Sequence, residues 1–240
     1  MTDVTIAHLV ENGTMNADMA ALLWSAVDEQ LSFLTVALPR LAGKTTTSRA
    51  LLALRPPGVE LHEVAGEPGV MKRLQQDKRG GYLVVNEFSQ APMYGYIWGE
   101  PVRRVFETLP YGYSLQTSLH ARGVDEAIDV VTRGNEISDE QASAFKLVLY
   151  IERFGSGSDF WRRLVEIYEV DKVENGRPSG RTLFRWRPAD DSFEKVSDPQ
   201  QFGSVADDLR RRAQVLNGLV VAGHTSVADI DDALRNFRQA

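Results

Sequence analysis

The chain is 240 residues long, 43% hydrophobic and 25% charged, with 33 acidic against 27 basic side chains and a net charge of −6. That length suits one large domain, or one with a smaller appendage, and the apolar share supplies a sizeable core. The absence of cysteine excludes disulfides and thiolate metal sites, His8, His62, His120 and His224 fall in no metal-binding spacing, and the acidic balance argues against a nucleic-acid partner.

Met1 to Gly13 lacks the basic flank and apolar centre of a signal peptide, and no run reaches the roughly 18 apolar residues of a spanning helix. The expectation is a soluble, cytoplasmic protein. Asn16 predicts the N-cap of a helix running to about Gln30, with Met19, Leu22, Leu23, Ala26 and Val27 on one face. Phe33 to Leu38 then reads as a buried strand, and Thr46 to Leu54 as a helix. Between them stands Gly43-Lys44-Thr45. Strand, Gly-Lys-Thr loop and helix form the context of a phosphate-binding loop, in which backbone N–H groups and a helix N-terminus converge on an anion. Ala42, Gly43, Lys44, Thr45 and Thr46 are therefore the candidate nucleotide-binding residues. Lys44 would place a cation at the β- and γ-phosphates of ATP, and Thr45 a hydroxyl ligand at Mg²⁺. The full pattern, G-x-x-x-x-G-K-[ST], asks for glycine where this chain has Leu38, followed by Pro39.

Arg55-Pro56-Pro57-Gly58 breaks the helix; a second strand is predicted over Val59 to Val64 and a helix over Gly69 to Gln76. Tyr82 to Glu87 is an apolar run ending in an acid, the form of a Walker B strand. There Asn86 could reach a metal only through water, and Glu87 could polarise an attacking one. Ala91 to Gly99, rich in aromatics, reads as a lid, a partner contact or a segment packed on the core. Further on come a helix from Pro101 to Thr108, a strand within Gly112 to Ala121, helices over Gly123 to Val131 and Ser138 to Ala144, and a strand from Phe145 to Arg153. Ser138 and Gln141 stand at capping-box distance. Strands alternating with helices predict an α/β fold with a mostly parallel sheet, and sites at the strands' C-terminal ends. Thr45, Glu87 and His120 all sit at or just after such ends.

Past Phe154-Gly155-Ser156-Gly157-Ser158 the pattern changes to hairpin alternation, Val165 to Val170 and Thr182 to Trp186, with a turn between Asn175 and Gly180. Two helices, Val205 to Val221 and Val227 to Arg238, close the chain. The expected division is a nucleotide-binding core over 1–155 and a hairpin with a helix pair over 156–240. Arg210-Arg211-Arg212 reads as a solvated helix face.

The order of these motifs resembles the type II and type IV secretion ATPases, hexameric RecA-like motors of secretion and pilus assembly. The likeness is carried by Gly-Lys-Thr-Thr at 43–46, the strand ending in Glu87, Leu-His-Ala at 119–121, Ile-Tyr-Glu-Val at 167–170, Leu-Phe-Arg-Trp at 183–186 and the run from Arg212 to Val220. The resemblance implies a RecA-like P-loop NTPase using ATP and Mg²⁺, a homo-oligomeric ring, partners in a secretion or pilus machine, and a place at the inner face of the membrane. It assigns Glu87 to the water-activating glutamate and His120 to the histidine that senses the γ-phosphate. Glu63 would fall near the family's acidic box at the metal. The departures are Leu38 and Pro39, Asn86 in place of glycine, no arginine after Glu87, a short stretch between Glu63 and Glu87, and no counterpart before Leu22 of the family's arginine-supplying N-terminal domain. They leave a second expectation: a non-hydrolysing P-loop module that serves as a regulatory or protein-interaction subunit.

Overall fold

The computed structural model describes residues 4–39, 41–157, 159–202 and 206–239. Helices α1 (Ile6–Glu11) and α2 (Ala17–Asp28) come first, their N-caps Thr5 and Asn16 accepting the N–H groups of His8 and Met19. Strand β1 (Ser32–Val36) is buried at every position, as its apolar run requires. Helix α3 (Lys44–Leu52) begins two residues before the predicted Thr46, because Gly43, at φ 98, turns the loop straight into the first helical turn. Then follow β2 (Leu61–Glu63), α4 (Pro68–Asp77) and β3 (Gly81–Val84). The predicted strand ending in Glu87 is two elements: the chain leaves the sheet at Val84, and Glu87 opens a separate short strand, β4 (Glu87–Phe88), paired with β5 (Tyr96–Ile97).

Helix α5 (Glu100–Thr108) leads into β6 (Tyr113–Leu119), and α6 (Val124–Asp129) widens into a π turn over Val130–Gly134. The predicted capping box of Ser138 and Gln141 opens α7 (Asp139–Ala142). Four antiparallel strands follow in a meander: β7 (Phe145–Ser156), β8 (Asp159–Glu174), β9 (Arg177–Arg187) and β10 (Ser192–Lys195). Helices α8 (Ala206–Val221) and α9 (Val227–Gln239) end the chain; Val205, the predicted start of the first, lies outside the described residues.

The fold is mixed α/β: a large, mostly parallel sheet flanked by helices. Its order is β10-β9-β8-β7-β1-β6-β3-β2, parallel from β7 to β2 and antiparallel from β7 to β10. Parallel pairing and meander meet at β7, so one sheet runs through the turn near residue 157. Strand β1 lies between β6 and β7, Leu34 opposite Thr117 on one side and Val148 on the other. Period-two alternation sends Phe33, Leu147 and Leu149 to one face, where they pack with Trp24, Leu51, Leu216 and Leu234. Leu34, Val36 and Val148 go to the other face, among Leu83, Phe106, Leu115 and Ile128.

One expectation about surfaces is corrected. Arg212 does not belong to a solvated face: it is buried, pairs with Asp28 and Asp208 at 2.5 and 2.7 Å, and its guanidinium lies 4.6 Å from the Trp24 ring and 4.9 Å from that of Phe237. Arg210 and Arg211 keep to the surface with Asp207 and Asp208. The 91–99 segment is split, Ile97 buried in the core while Met93 and Tyr94 stand exposed.

Candidate functional site

The parallel strands all deliver their C-terminal ends to one edge of the sheet. From there α3 begins without a side-chain cap, and its first helical bond is Thr47 N–H to Gly43 O at 2.9 Å. The N–H groups of Lys44, Thr45 and Thr46 precede that bond and point out of the helix end, where the helix dipole favours an anion. Lys44, the first helical residue, turns its side chain inward and is only 8% exposed. Its Nζ lies 3.1 Å from Glu87 Oε2 and 3.2 Å from His120 Nε2. Glu87 Oε1 is 3.5 Å from the same His120 nitrogen, so cation, carboxylate and imidazole form a closed triangle.

Each corner has a structural cause. Glu87 is fixed by the β4–β5 pair, its N–H bonded to Gly95 O at 3.2 Å. His120 follows the last residue of β6, and the position of β6 beside β1 puts the ring under the phosphate-loop candidate. His120 Nδ1 is 3.0 Å from both Ala37 O and Leu38 O, two acceptors, so Nδ1 is the donor. In the neutral ring Nε2 then carries the lone pair that faces Lys44. Burial draws the Lys44 pKa below its ordinary value, while the charge and hydrogen bond of Glu87 act against that shift.

The triangle forms the floor of a cleft of about 620 Å³, within the range of small-molecule sites. Ala42, Gly43, Thr45 and Thr46 line its loop side; Ser89, Met93 and Tyr96 line the β4–β5 side. Leu38 and Leu41, which would choke the loop if turned inward, are 47% and 81% exposed. The Asn86 side chain points elsewhere, its Nδ2 donating to Tyr94 O at 3.3 Å, while its backbone carbonyl accepts from Ser118 Oγ at 2.6 Å. Glu63 stands apart from the triangle. It lines a smaller cavity of about 150 Å³ with Asn86 and Ser118, and of the main cleft's residues only Thr45 borders both. Among the described residues no group of three His, Cys, Asp or Glu side chains is placed to hold a metal.

One lining residue carries no motif in the sequence. Arg162, on β8, donates from Nε and Nη2 to Leu41 O at 3.3 and 3.0 Å and so roofs the loop from the meander side. Its neighbour Arg163 points to the opposite face and pairs with Asp191 at 2.6 Å. The sequence presents Arg162 and Arg163 as like neighbours, and the strand's alternation sends them to opposite faces.

Fold and site together define an α/β protein whose loop-to-helix turn faces a lysine–glutamate–histidine cluster. No protein-family model matches the chain. An uncharacterized protein of Methanocaldococcus jannaschii is 25% identical over 250 residues, spanning 88% of this chain and 90% of that one. Among solved structures, the chain is similar to the VirB11 ATPase from the Brucella suis type IV secretion system in complex with sulphate, at 17% identity and a TM-score of 0.43 over 65% of this chain. It is also similar to the Legionella pneumophila ATPase DotB, at 12% identity and a TM-score of 0.37 over 89% of this chain. The chain spans about half the length of these two structures, 54% of each. Among the described residues no helix is long and apolar enough to cross a membrane.

Proposed function

We propose that the chain binds a nucleoside triphosphate in this cleft and hydrolyses it, as an ATPase that uses Mg²⁺. The observation that carries the reading is the meeting of Lys44, Glu87 and His120 within 3.5 Å beneath an uncapped helix N-terminus. The residues fit the ligand. Gly43 brings no side chain into the loop, the exposed Thr45 offers its hydroxyl beside the triangle, and the N–H groups at the uncapped start of α3 supply the donors that phosphate oxygens need. When bound, Mg²⁺ would add a Lewis acid that offsets the charge of the phosphates, with Thr45 as its protein ligand and Glu63 on the far side of that residue.

The roles follow from charge. Without nucleotide, Glu87 answers the buried charge of Lys44. A phosphate arriving at the helix N-terminus takes over as counter-ion to Lys44 and frees Glu87 to accept a hydrogen bond from water and orient it for in-line attack. His120, held at Nδ1 by two carbonyls, keeps Nε2 pointed at the same place and registers which partner Lys44 has chosen. Assembly into a homo-oligomeric ring, work on a secretion or pilus machine and attachment at the inner face of the membrane belong to the same reading. Calorimetry with Mg²⁺ and ATP or ADP tests its base. Micromolar binding lost in Lys44→Ala supports it; no binding to wild type at millimolar nucleotide overturns it and leaves a non-hydrolysing interaction module.

A further inference from the structure

The cleft holds more positive charge than its one carboxylate balances. Glu87 is already committed to Lys44 and His120. Across the β7–β8 ladder Arg162 stands directly opposite Arg153, and among the described residues neither guanidinium has a carboxylate within salt-bridge distance. Two like charges facing each other on a half-buried strand pair are unfavourable. Part of the cost is met by Phe160, whose ring centroid lies 4.4 Å from the Arg153 guanidinium and 4.7 Å from that of Arg162. The rest is unmet. Arg153 Nε is buried with no hydrogen-bond partner, and Arg162 spends its donors on a neutral carbonyl, Leu41 O. Burial and the charge of Arg153 both push Arg162 below an ordinary arginine pKa, in the direction of an unanswered cation.

The position is as pointed as the charge. A Cβ placed on Gly43 would meet Arg162 Cδ at 2.9 Å, so the arginine stem lies against the residue whose N–H and φ define the loop. Lys44, Glu87 and His120 line the same cleft. We infer that Arg162, supplied by the β7–β8 hairpin of the same chain, is a contact to the terminal phosphate of the bound nucleotide. The inference rests on the nucleotide reading above and adds a specificity to it. A guanidinium bonded to one carbonyl keeps most of its five donors free, and exchange of Leu41 O for a phosphate oxygen replaces a neutral acceptor with a charged one. Lys44 reaches the β- and γ-phosphates and the helix N-terminus holds the inner ones, so a fork arriving from the hairpin at the terminal phosphate favours triphosphate over diphosphate.

The test compares the full chain with Arg162→Gln, which keeps the stem against Gly43 and loses the charge. Affinity is read by calorimetry for ADP and for the β,γ-imido analogue of ATP, each with Mg²⁺, and a thermal melt checks folding. Loss of one charge-assisted bond weakens the triphosphate analogue about 10- to 100-fold and ADP by less than about threefold. Arg162→Lys, with charge but no fork, keeps part of the preference and serves if the glutamine variant misfolds. Equal weakening of both ligands, or no change in either, overturns the role of Arg162 and leaves the nucleotide site standing. Wild type that binds neither ligand overturns the site itself, and this contact with it.

Discussion

The ion pair at the centre of the cleft makes a prediction that needs no nucleotide. Lys44 and Glu87 have side chains 9% and 8% exposed and meet at 3.1 Å. Removing one member of such a pair strands the other in a poor solvent, at a cost of about 3 kcal/mol where the site opens to a cleft. Glu87→Gln and Lys44→Met should each lower the melting temperature by about 6–12 °C for a chain of this length. The double variant leaves no stranded charge and should fall short of the summed loss by about 2 kcal/mol. Linkage gives a second readout. The folded-state pKa of Lys44 lies below its unfolded value of 10.5, so between the two the folded chain binds fewer protons than the unfolded one. Stability therefore rises with pH in that window through Lys44. The melting temperature of wild type relative to Lys44→Met should climb as the pH rises toward the unfolded value of 10.5. Additive losses in the cycle, or a relative melting temperature that stays flat or falls with pH, would refute the buried-pair argument.

Three further outcomes follow from the packing. Gly43→Ala must hold a left-handed φ of 98 and push against Arg162, so it should cost about 1–2 kcal/mol in thermal stability and weaken nucleotide binding; an unchanged melt would contradict the loop geometry. Arg212→Ala removes the cation packed against the Trp24–Phe237 ring pair and leaves Asp28 with Arg238 alone, with an expected loss of about 2 kcal/mol and faster proteolysis within 206–239, read by melt and mass spectrometry. Glu169, fully buried, accepts the N–H groups of Gln200 and Gln201 at 2.8–3.0 Å and pairs with Arg181 at 3.2 Å; Glu169→Gln should cost about 2 kcal/mol and release hydrogen-exchange protection at those two amides first.

What the sequence reveals of this protein is what local chemistry decides. Asn16 and Ser138 are legible because a cap is a bond between near neighbours, and Leu147-Val148-Leu149 because a strand covered on both faces must be apolar throughout. Gly43-Lys44-Thr45 is legible because a left-handed glycine before an uncapped helix is itself a device. The site is different: Lys44 and His120 are 76 residues apart and meet only because β6 takes the place beside β1. Glu87 is found in the sequence as the end of an apolar run, yet it reaches Lys44 only after the chain has left β3 and begun β4. The arginines show the same limit more sharply. Arg162 and Arg163 are adjacent and identical in type, and so are Arg211 and Arg212. A strand's period of two sends Arg162 to Leu41 O and Arg163 to Asp191; a helix's rotation sends Arg212 into the core and leaves its neighbour outside. An arginine's function here is set by which face its element buries, and that depends on strand order and register, which are properties of the whole sheet. The residue most informative about the cleft is therefore one that no local motif singles out.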